Sequence, residues 1–276
     1  MDILSEVLYV LQLKSSLVNR IICGPGQSVS GPDKHRYQIT FLLRGEATIE
    51  VEGAIRAFRR FDGVWFGAES DPATPKILAK THSTTLLSAE FTADGSAPHP
   101  LMTDLTRPFW IPHDALSDDT EVGRILALMD EDLVNERVGS ALVTLRLADV
   151  LLVEMLRRRE LTDSGFLAAL KDPMTAHALG QLHGTPGHRW NLAQLSEISG
   201  LTASAFGDRF QRRVGQPPLT YLRHWRLLRG KARLRNSGQP VRSIAQDLGY
   251  RSGSGFSRAF RKQFGLSPSE FRARDD

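Results

Sequence analysis

The sequence predicts an α+β chain: an N-terminal β-barrel or sandwich, a helical linker, and an all-α C-terminal domain with two helix-turn-helix units. Three observations carry this prediction. Short runs rich in Val, Ile, Thr and Phe, broken by Gly and Pro, fill Ser16 to about Pro112. The apolar period becomes helical over residues 117–160. About the last hundred residues then contain one supersecondary unit twice. The implied boundaries are 1–116, 117–172 and 173–276, in line with about two domains for 276 residues.

Residues 3–13 form a short amphipathic pattern, with Ile3, Leu4, Val7, Leu8 and Leu11 at helical spacing. In ATIEVEG, Ala47, Ile49 and Val51 alternate with Thr48, Glu50 and Glu52, as a half-buried strand requires. Several such strands separated by turns predict a sandwich or small barrel. Val122, Ile125, Leu126, Met129 and Leu133 then make one helical stripe, and Leu142, Leu145, Ala148, Leu152 and Met155 a second. The second helix is apolar over more than one face, so it packs against another helix of this chain or of a partner. Arg157, Arg158 and Arg159 stand at its negative end. ELTDSG breaks the pattern, and GFLAALKD leads into the C-terminal domain.

The repeat pairs Asn191–Tyr221 with Pro240–Phe271. Leu192, Leu195 and Gly200 match Val241, Ile244 and Gly249; Phe206, Phe210, Gly215, Pro218 and Tyr221 match Phe256, Phe260, Gly265, Pro268 and Phe271. Apolar and glycine positions persist while surface residues vary, the mark of a repeated supersecondary unit. Each copy reads as helix, Gly-containing turn, helix, a form that places a helix in a DNA major groove. Between them, LTYLRHWRLLRGKARLRNSG reads as a helix with Leu222, Trp225, Leu228 and Ala232 on one face and Arg223, Arg226, Arg229, Lys231 and Arg233 over the rest. About eighteen residues at ~1.5 Å each span roughly 27 Å. That is close to the ~34 Å that sets two recognition helices one DNA turn apart.

Charge agrees. Residues 174–276 hold 17 Lys+Arg against 6 Asp+Glu, and the rest holds 18 against 25. A basic third beside an acidic remainder points to one polyanion-binding domain and one with another task. Cys23 is the single cysteine, so no internal disulfide forms; it sits in an apolar run and reads as an inert buried thiol. Asp2 and Glu6 stand where a signal peptide needs positive charge, and no apolar run approaches the ~20 residues of a membrane span. The expectation is a cytoplasmic protein with no membrane partner.

SAFGDRFQRRVGQPPLTYLRHWRL, the joining helix, and IAQDLGYRSGSGFSRAFRKQFGLSPSEFR together resemble the DNA-binding domain of the AraC/XylS family of bacterial transcription regulators, over about Pro173 to Arg274. The resemblance implies sequence-specific binding to double-stranded promoter DNA and engagement of RNA polymerase. HRYQITFLLRGEATIEVEG and FDGVWFGAESDPATPK resemble the cupin-type effector domain of one branch of that family. Metal-dependent cupin enzymes need a His-x-His pair, a Glu and a later His. Here His35 is followed by Arg36-Tyr37, and His82, His99 and His113 are scattered. An imidazole and carboxylate site needs three or four convergent ligands. The expectation is a cupin with no metal, no cofactor and no catalytic residues.

In the second unit the recognition helix is expected to begin near Ser252 as N-cap, with Phe256, Phe260 and Phe264 inward. Arg258 matches the family position that reaches base edges, where a guanidinium pairs with guanine O6 and N7. Ser254 and Ser257 flank it as further base contacts, and Arg251, Arg261 and Lys262 are phosphate ligands. In the first unit Thr202 caps the helix, and Ser204 and Asp208 are the base-contact candidates. Asp208 either accepts from a cytosine amine or pairs with Arg212 four residues on. Arg209, Arg212 and Arg213 are the phosphate ligands. Gly207 either lets the backbone approach DNA or is merely tolerated. Trp190 reads as packing.

The barrel interior, among Tyr37, Phe41, Phe58, Phe61, Trp65, Phe66 and Phe91, is the candidate effector pocket, with Arg36, Tyr37, Arg44 and Trp65 as candidate contacts. The helices of 117–160 are candidates for homodimerisation. The leading reading is an effector-controlled transcription activator. The alternatives are a metal-dependent cupin enzyme fused to a DNA-binding domain, and an effector-independent DNA-binding dimer.

Overall fold

Branched and aromatic side chains suit a pleated, half-buried surface, and the segments rich in them are the strands of the computed structural model. It describes residues 2–32, 36–51, 53–67, 76–93, 99–111, 120–158, 165–197 and 199–275. His35, His113 and Arg159, and the end of the second cupin-like stretch, lie outside the described residues. The chain divides into two units, one of Leu13–Ala93 with Leu105–Glu160, the other of Met1–Gln12, Asp94–Asp104 and Leu161–Asp276.

The first unit contains β1 (Lys14–Cys23), β2 (Ser28–Val29), β3 (Tyr37–Arg44), β4 (Ala47–Val51), β5 (Ala54–Phe58), β6 (Gly63–Phe66), β7 (Lys76–Ala79), β8 (Thr84–Thr92) and β9 (Phe109–Ile111). They form two antiparallel sheets, ordered β1-β8-β3-β6-β9 and β2-β7-β4-β5. Leu42, Val64, Phe66 and Leu86 of the first sheet pack with Ala47, Ile49, Phe58 and Ile77 of the second. The alternation read in β4 holds over residues 47–50, where Ala47 and Ile49 are buried and Glu50 is exposed; the side chain of Val51 and all of Glu52 lie outside what is described. β3 is buried continuously from Tyr37 to Leu43. Cys23 is buried, which pushes its thiol pKa up.

Two helices complete this unit, α3 (Glu121–Asn135) and α4 (Ser140–Arg158). Thr120 caps α3 by accepting from the Gly123 amide. α4 is fixed to β1 where Ser15 donates its amide to Asp149 and its hydroxyl to the Leu145 carbonyl, both at 2.7 Å. Asp130 of α3 accepts from Arg20 at 2.6 Å and Arg44 at 3.1 Å. The inward stripe of α4 differs from the sequence reading in one place. Leu142 is 59% exposed, and Thr144 is buried instead, its hydroxyl satisfied by the Ser140 carbonyl. Leu142, Val143 and Val150 form the apolar excess on α4.

The second unit contains α1 (Ile3–Leu11), α2 (Pro100–Leu105) up to Asp104, α5 (Phe166–Lys171), α6 (Pro173–Gly184), α7 (Leu192–Glu197), α8 (Ala203–Val214), α9 (Pro218–Asn236), α10 (Val241–Asp247), α11 (Gly253–Phe264) and α12 (Pro268–Asp275). Val7, Leu8 and Leu11 of α1 are buried, and Asp2 caps it. Pro218 opens α9, where a missing N–H costs nothing. Leu222, Trp225, Leu228 and Ala232 are buried as their spacing predicts.

Candidate nucleic-acid interface

Each recognition helix is started by a hydroxyl and stopped by a glycine. Thr202 accepts from the Ala205 amide at 3.3 Å and Ser252 from the Gly255 amide at 3.1 Å, satisfying donors that a helix start leaves open. Gly215 and Gly265 close α8 and α11 in the left-handed region, at φ +90° and +78°. Phe206, Phe210 and Val214 anchor α8, and Phe256 and Phe260 anchor α11 against Leu227, Ile244 and Leu248. A helix whose inner face is fixed in this way presents its outer face as a rigid surface.

On α11 that face carries Ser254, Arg258, Arg261 and Lys262, all exposed, with Ser257 half-buried and Arg251 exposed in the preceding turn. On α8 Ser204, Asp208 and Arg212 are exposed, and Arg209 and Arg213 are half-buried. The pairing of Asp208 with Arg212 does not occur among the described interactions; Arg212 lines a cavity with His99, Asp104 and His224. Arg209 is drawn into the fold, donating to Asp172 at 2.7 Å. Asp172 also caps α6, accepting from the amide and hydroxyl of Thr175. Burial opposes its charge, but the bonds from Thr175 and Arg209 outweigh burial and hold its pKa down to about 2. Gly207 faces the side chain of Leu192 on α7 at ordinary contact distance, so its place is at a helix–helix contact.

Three of the cations that the sequence places away from the apolar face of α9 have structural partners. Arg226 donates to the carbonyls of Pro186 and His188 at 2.6 and 2.7 Å. Arg229 pairs with Glu6 and lies over the Trp225 ring. Lys231 is buried, its ammonium 4.8 Å from the Phe264 ring centre and 5.3 Å from that of Phe271. Pro186, His188, Glu6, Phe264 and Phe271 lie far along the chain from these cations, so the sequence does not show the pairings. Trp190 is half-buried, its indole donating to the Thr185 carbonyl at 3.2 Å.

Of the four candidate effector contacts, Tyr37 and Trp65 meet. Trp65 is fully buried, its indole donating to the Leu105 carbonyl at 2.9 Å, and it stacks with Tyr37 and Phe109. Arg36 pairs with Glu90 at 2.7 Å. Arg44 lies elsewhere, at a cavity of about 370 Å³ shared with Leu43, Arg60, Phe61, Leu126 and Asp130. Phe61 sits at φ +68°, a conformation costly for a bulky residue, with the Arg60 guanidinium 4.4 Å from its ring centre. Its amide donates to the Leu42 carbonyl at 2.7 Å, which helps hold that conformation. The sequence places Phe61 among the barrel aromatics, but no signal in it marks the left-handed backbone. Among the described residues no group of three or more His, Cys, Asp or Glu is placed to hold a metal ion. None of the described helices is long and apolar enough to cross a membrane.

Two capped recognition helices, each in a helix-turn-helix and joined by one long helix, in a chain that also carries a two-sheet β unit, define a tandem helix-turn-helix DNA-binding regulator. A family description named Cupin matches residues 2–159, more than half the chain, and one named Helix-turn-helix domain matches residues 195–274. A Streptomyces lividans protein described as an AraC-like transcription regulator is 28% identical over 99% of this chain and 98% of its own length. A second, from Streptomyces antibioticus, is 38% identical over 53% of this chain and 50% of its own length. The solved DNA-binding domain of AdpA, in complex with a target DNA, is 28% identical over 37% of this chain and 92% of that one, with a TM-score of 0.35. The chain belongs to the AraC family of transcription regulators, in the form that carries an N-terminal cupin domain.

Proposed function

We propose that this regulator binds promoter DNA through α8 and α11 in successive major grooves, and that the two helices read it unequally. The observation that carries this is the contrast between their exposed faces. α11 offers Arg258 among serines with Arg261 and Lys262 beside it, whereas α8 offers Ser204 and Asp208 and has Arg209 tied to Asp172. Arg258, Ser254 and Ser257 then contact bases, with Ser204 and Asp208 as the poorer set. Arg212, Arg213, Arg251, Arg261 and Lys262 contact phosphates, and Arg209 joins them only by leaving Asp172. Selection from random duplex DNA with the purified chain tests it. The expected product is a two-part motif about one turn apart, with one half better defined. An unstructured or single-part motif contradicts it.

The remaining parts of the reading rest on the cupin domain. We assign it a non-catalytic role as an effector sensor in a cytoplasmic activator that engages RNA polymerase. Its ligand site is the cavity over Phe61, where Arg44 and Arg60 supply cations and Leu43 and Leu126 apolar contact. The exposed Leu142, Val143 and Val150 of α4 support homodimerisation. Sedimentation of wild type against Leu142→Asp tests the dimer: a shift to monomer is expected, and an unchanged profile removes α4 from the interface.

A further inference from the structure

Within the helical unit, a hydrogen-bonded chain of buried groups joins four helices and the residue before α2. The Leu101 amide donates to His99 Nδ1 at 3.2 Å, which leaves the ring proton of His99 on Nε2. That proton is donated to the Tyr221 hydroxyl at 3.2 Å. Tyr221 donates onward to His183 Nε2 at 2.6 Å, and His183 Nδ1–H donates to Glu6 at 3.0 Å. Glu6 is closed off by Arg229. His99, His183 and Tyr221 are all buried, and the His183 ring stacks on Trp225 with centres 4.0 Å apart. Every donor in the chain is matched to one acceptor, so its polarity is fixed from the Leu101 amide to the Glu6 carboxylate.

Such a chain has no room for another proton. Protonating His183 puts a second donor against the Tyr221 hydroxyl, and the Tyr221 proton loses its acceptor. Protonating His99 on Nδ1 sets two N–H groups against each other at Leu101. Either event leaves a buried donor unpaired beside a desolvated cation. The charged groups facing the chain are Glu6 from α1, and Arg229 with the further Arg233 from α9. His224 of α9, with Arg223 beside it, and Arg212 and Asp104 stand on the His99 side. Glu6 is already matched by Arg229, which limits what it can offer an imidazolium. Burial lowers the pKa of His183 to about 3, and burial, then His183 and His224, lower that of His99 well below its usual range.

We propose that this His99–Tyr221–His183–Glu6 chain is an acid-sensitive latch that holds α1 and α2 on the first helix-turn-helix unit and releases them on protonation. α1 and α2 are the short helices that run on into β1 and β9 after two and three residues. Release therefore loosens the covalent route from the β unit to the reader. The sign follows from the depressed values. Both imidazoles are neutral in the latched state, and the freed imidazoles take up protons below about pH 6.5. Latching is complete above that value and weakens as the pH falls below it.

Amide hydrogen exchange of the full chain at pH 7.5 and 5.5, corrected for intrinsic rates, reads the latch directly. Protection over residues 3–11 and 100–105 is expected to fall about tenfold for each histidine, roughly a hundredfold together. Protection in α11 is expected to hold. The double variant His99→Gln, His183→Gln should lose this pH response. Equal wild-type protection at the two pH values, a fall shared by α11, or a response kept by the double variant each overturns the latch. The wild-type imidazole NMR spectrum supplies an arm that needs no variant. Neutral His183 protonated on Nδ1 and neutral His99 protonated on Nε2 at pH 7 support it; the opposite tautomers overturn it.

Discussion

The α-carbon of Gly249 lies against the carbonyl of Gly187: a Cβ at 249 would stand 2.4 Å from that oxygen, at φ +79°. A Cβ at Gly187 would in turn stand 2.3 Å from the Asp247 carbonyl. The turn of the second helix-turn-helix is thereby seated on the loop before the first, and Arg226 bonds two carbonyls of that loop. The setting of the two readers rests on this backbone contact as well as on α9. Gly249→Ala is expected to cost about 2 kcal/mol or more, from the left-handed backbone and the clash together. DNA affinity should fall with it. Gly238→Ala, with open space around it, should change the melting temperature little. Thermal melts and DNA titration of the two variants check this.

Gly207 predicts the reverse effect. Its Cβ would meet Leu192 at 3.6 Å, an ordinary contact, within helical backbone. Gly207→Ala should stabilise α8 by about 1 kcal/mol. Urea denaturation should show a higher midpoint with an unchanged slope. DNA affinity should be kept, since the methyl faces α7.

Asp172 gives the fold an acid limit of its own. Its pKa drops from an ordinary 3.8 to about 2 in the fold, so the stability it supplies is present above about pH 4 and fades as the pH falls toward 2. Asp172→Asn should melt lower than wild type at pH 6, with the gap closing between pH 4 and 2. A gap independent of pH would detach the effect from ionisation. The same variant frees Arg209 and should raise DNA affinity relative to its lowered stability.

Arg212 is exposed and unpaired with Asp208, so its charge is available to a phosphate. Arg212→Ala should weaken binding evenly on all sequences and flatten the salt dependence by about one unit. Titrations at several salt concentrations measure the slope.

The repeat was legible because its core positions need Phe and Gly at fixed spacing, and a helix-turn-helix of this size is built almost wholly from near neighbours. The caps at Thr202 and Ser252 were legible for the same reason, since each bond spans three residues. The strands were legible from their residue types, and Ala47 and Ile49 from their alternation. Arg226 and Lys231 were not, because their settings come from segments that only the fold brings near. Arg209 shows the limit most clearly. Its spacing on α8 reads as phosphate-facing, yet Asp172, a helix cap far upstream, holds its guanidinium. His99 read as one of several scattered histidines, and it meets His183, which the sequence did not single out, through Tyr221, a residue that the repeat marks only as an aromatic.

The unequal roles of the two recognition helices are tested most directly by Arg258→Ala, with binding measured on every single-base variant of the selected site. A bidentate arginine–guanine contact is worth about 1–3 kcal/mol of discrimination. Preference is expected to be lost at one position in the better-defined half and kept elsewhere. An even loss of affinity over all positions, or a loss in the other half, would contradict it.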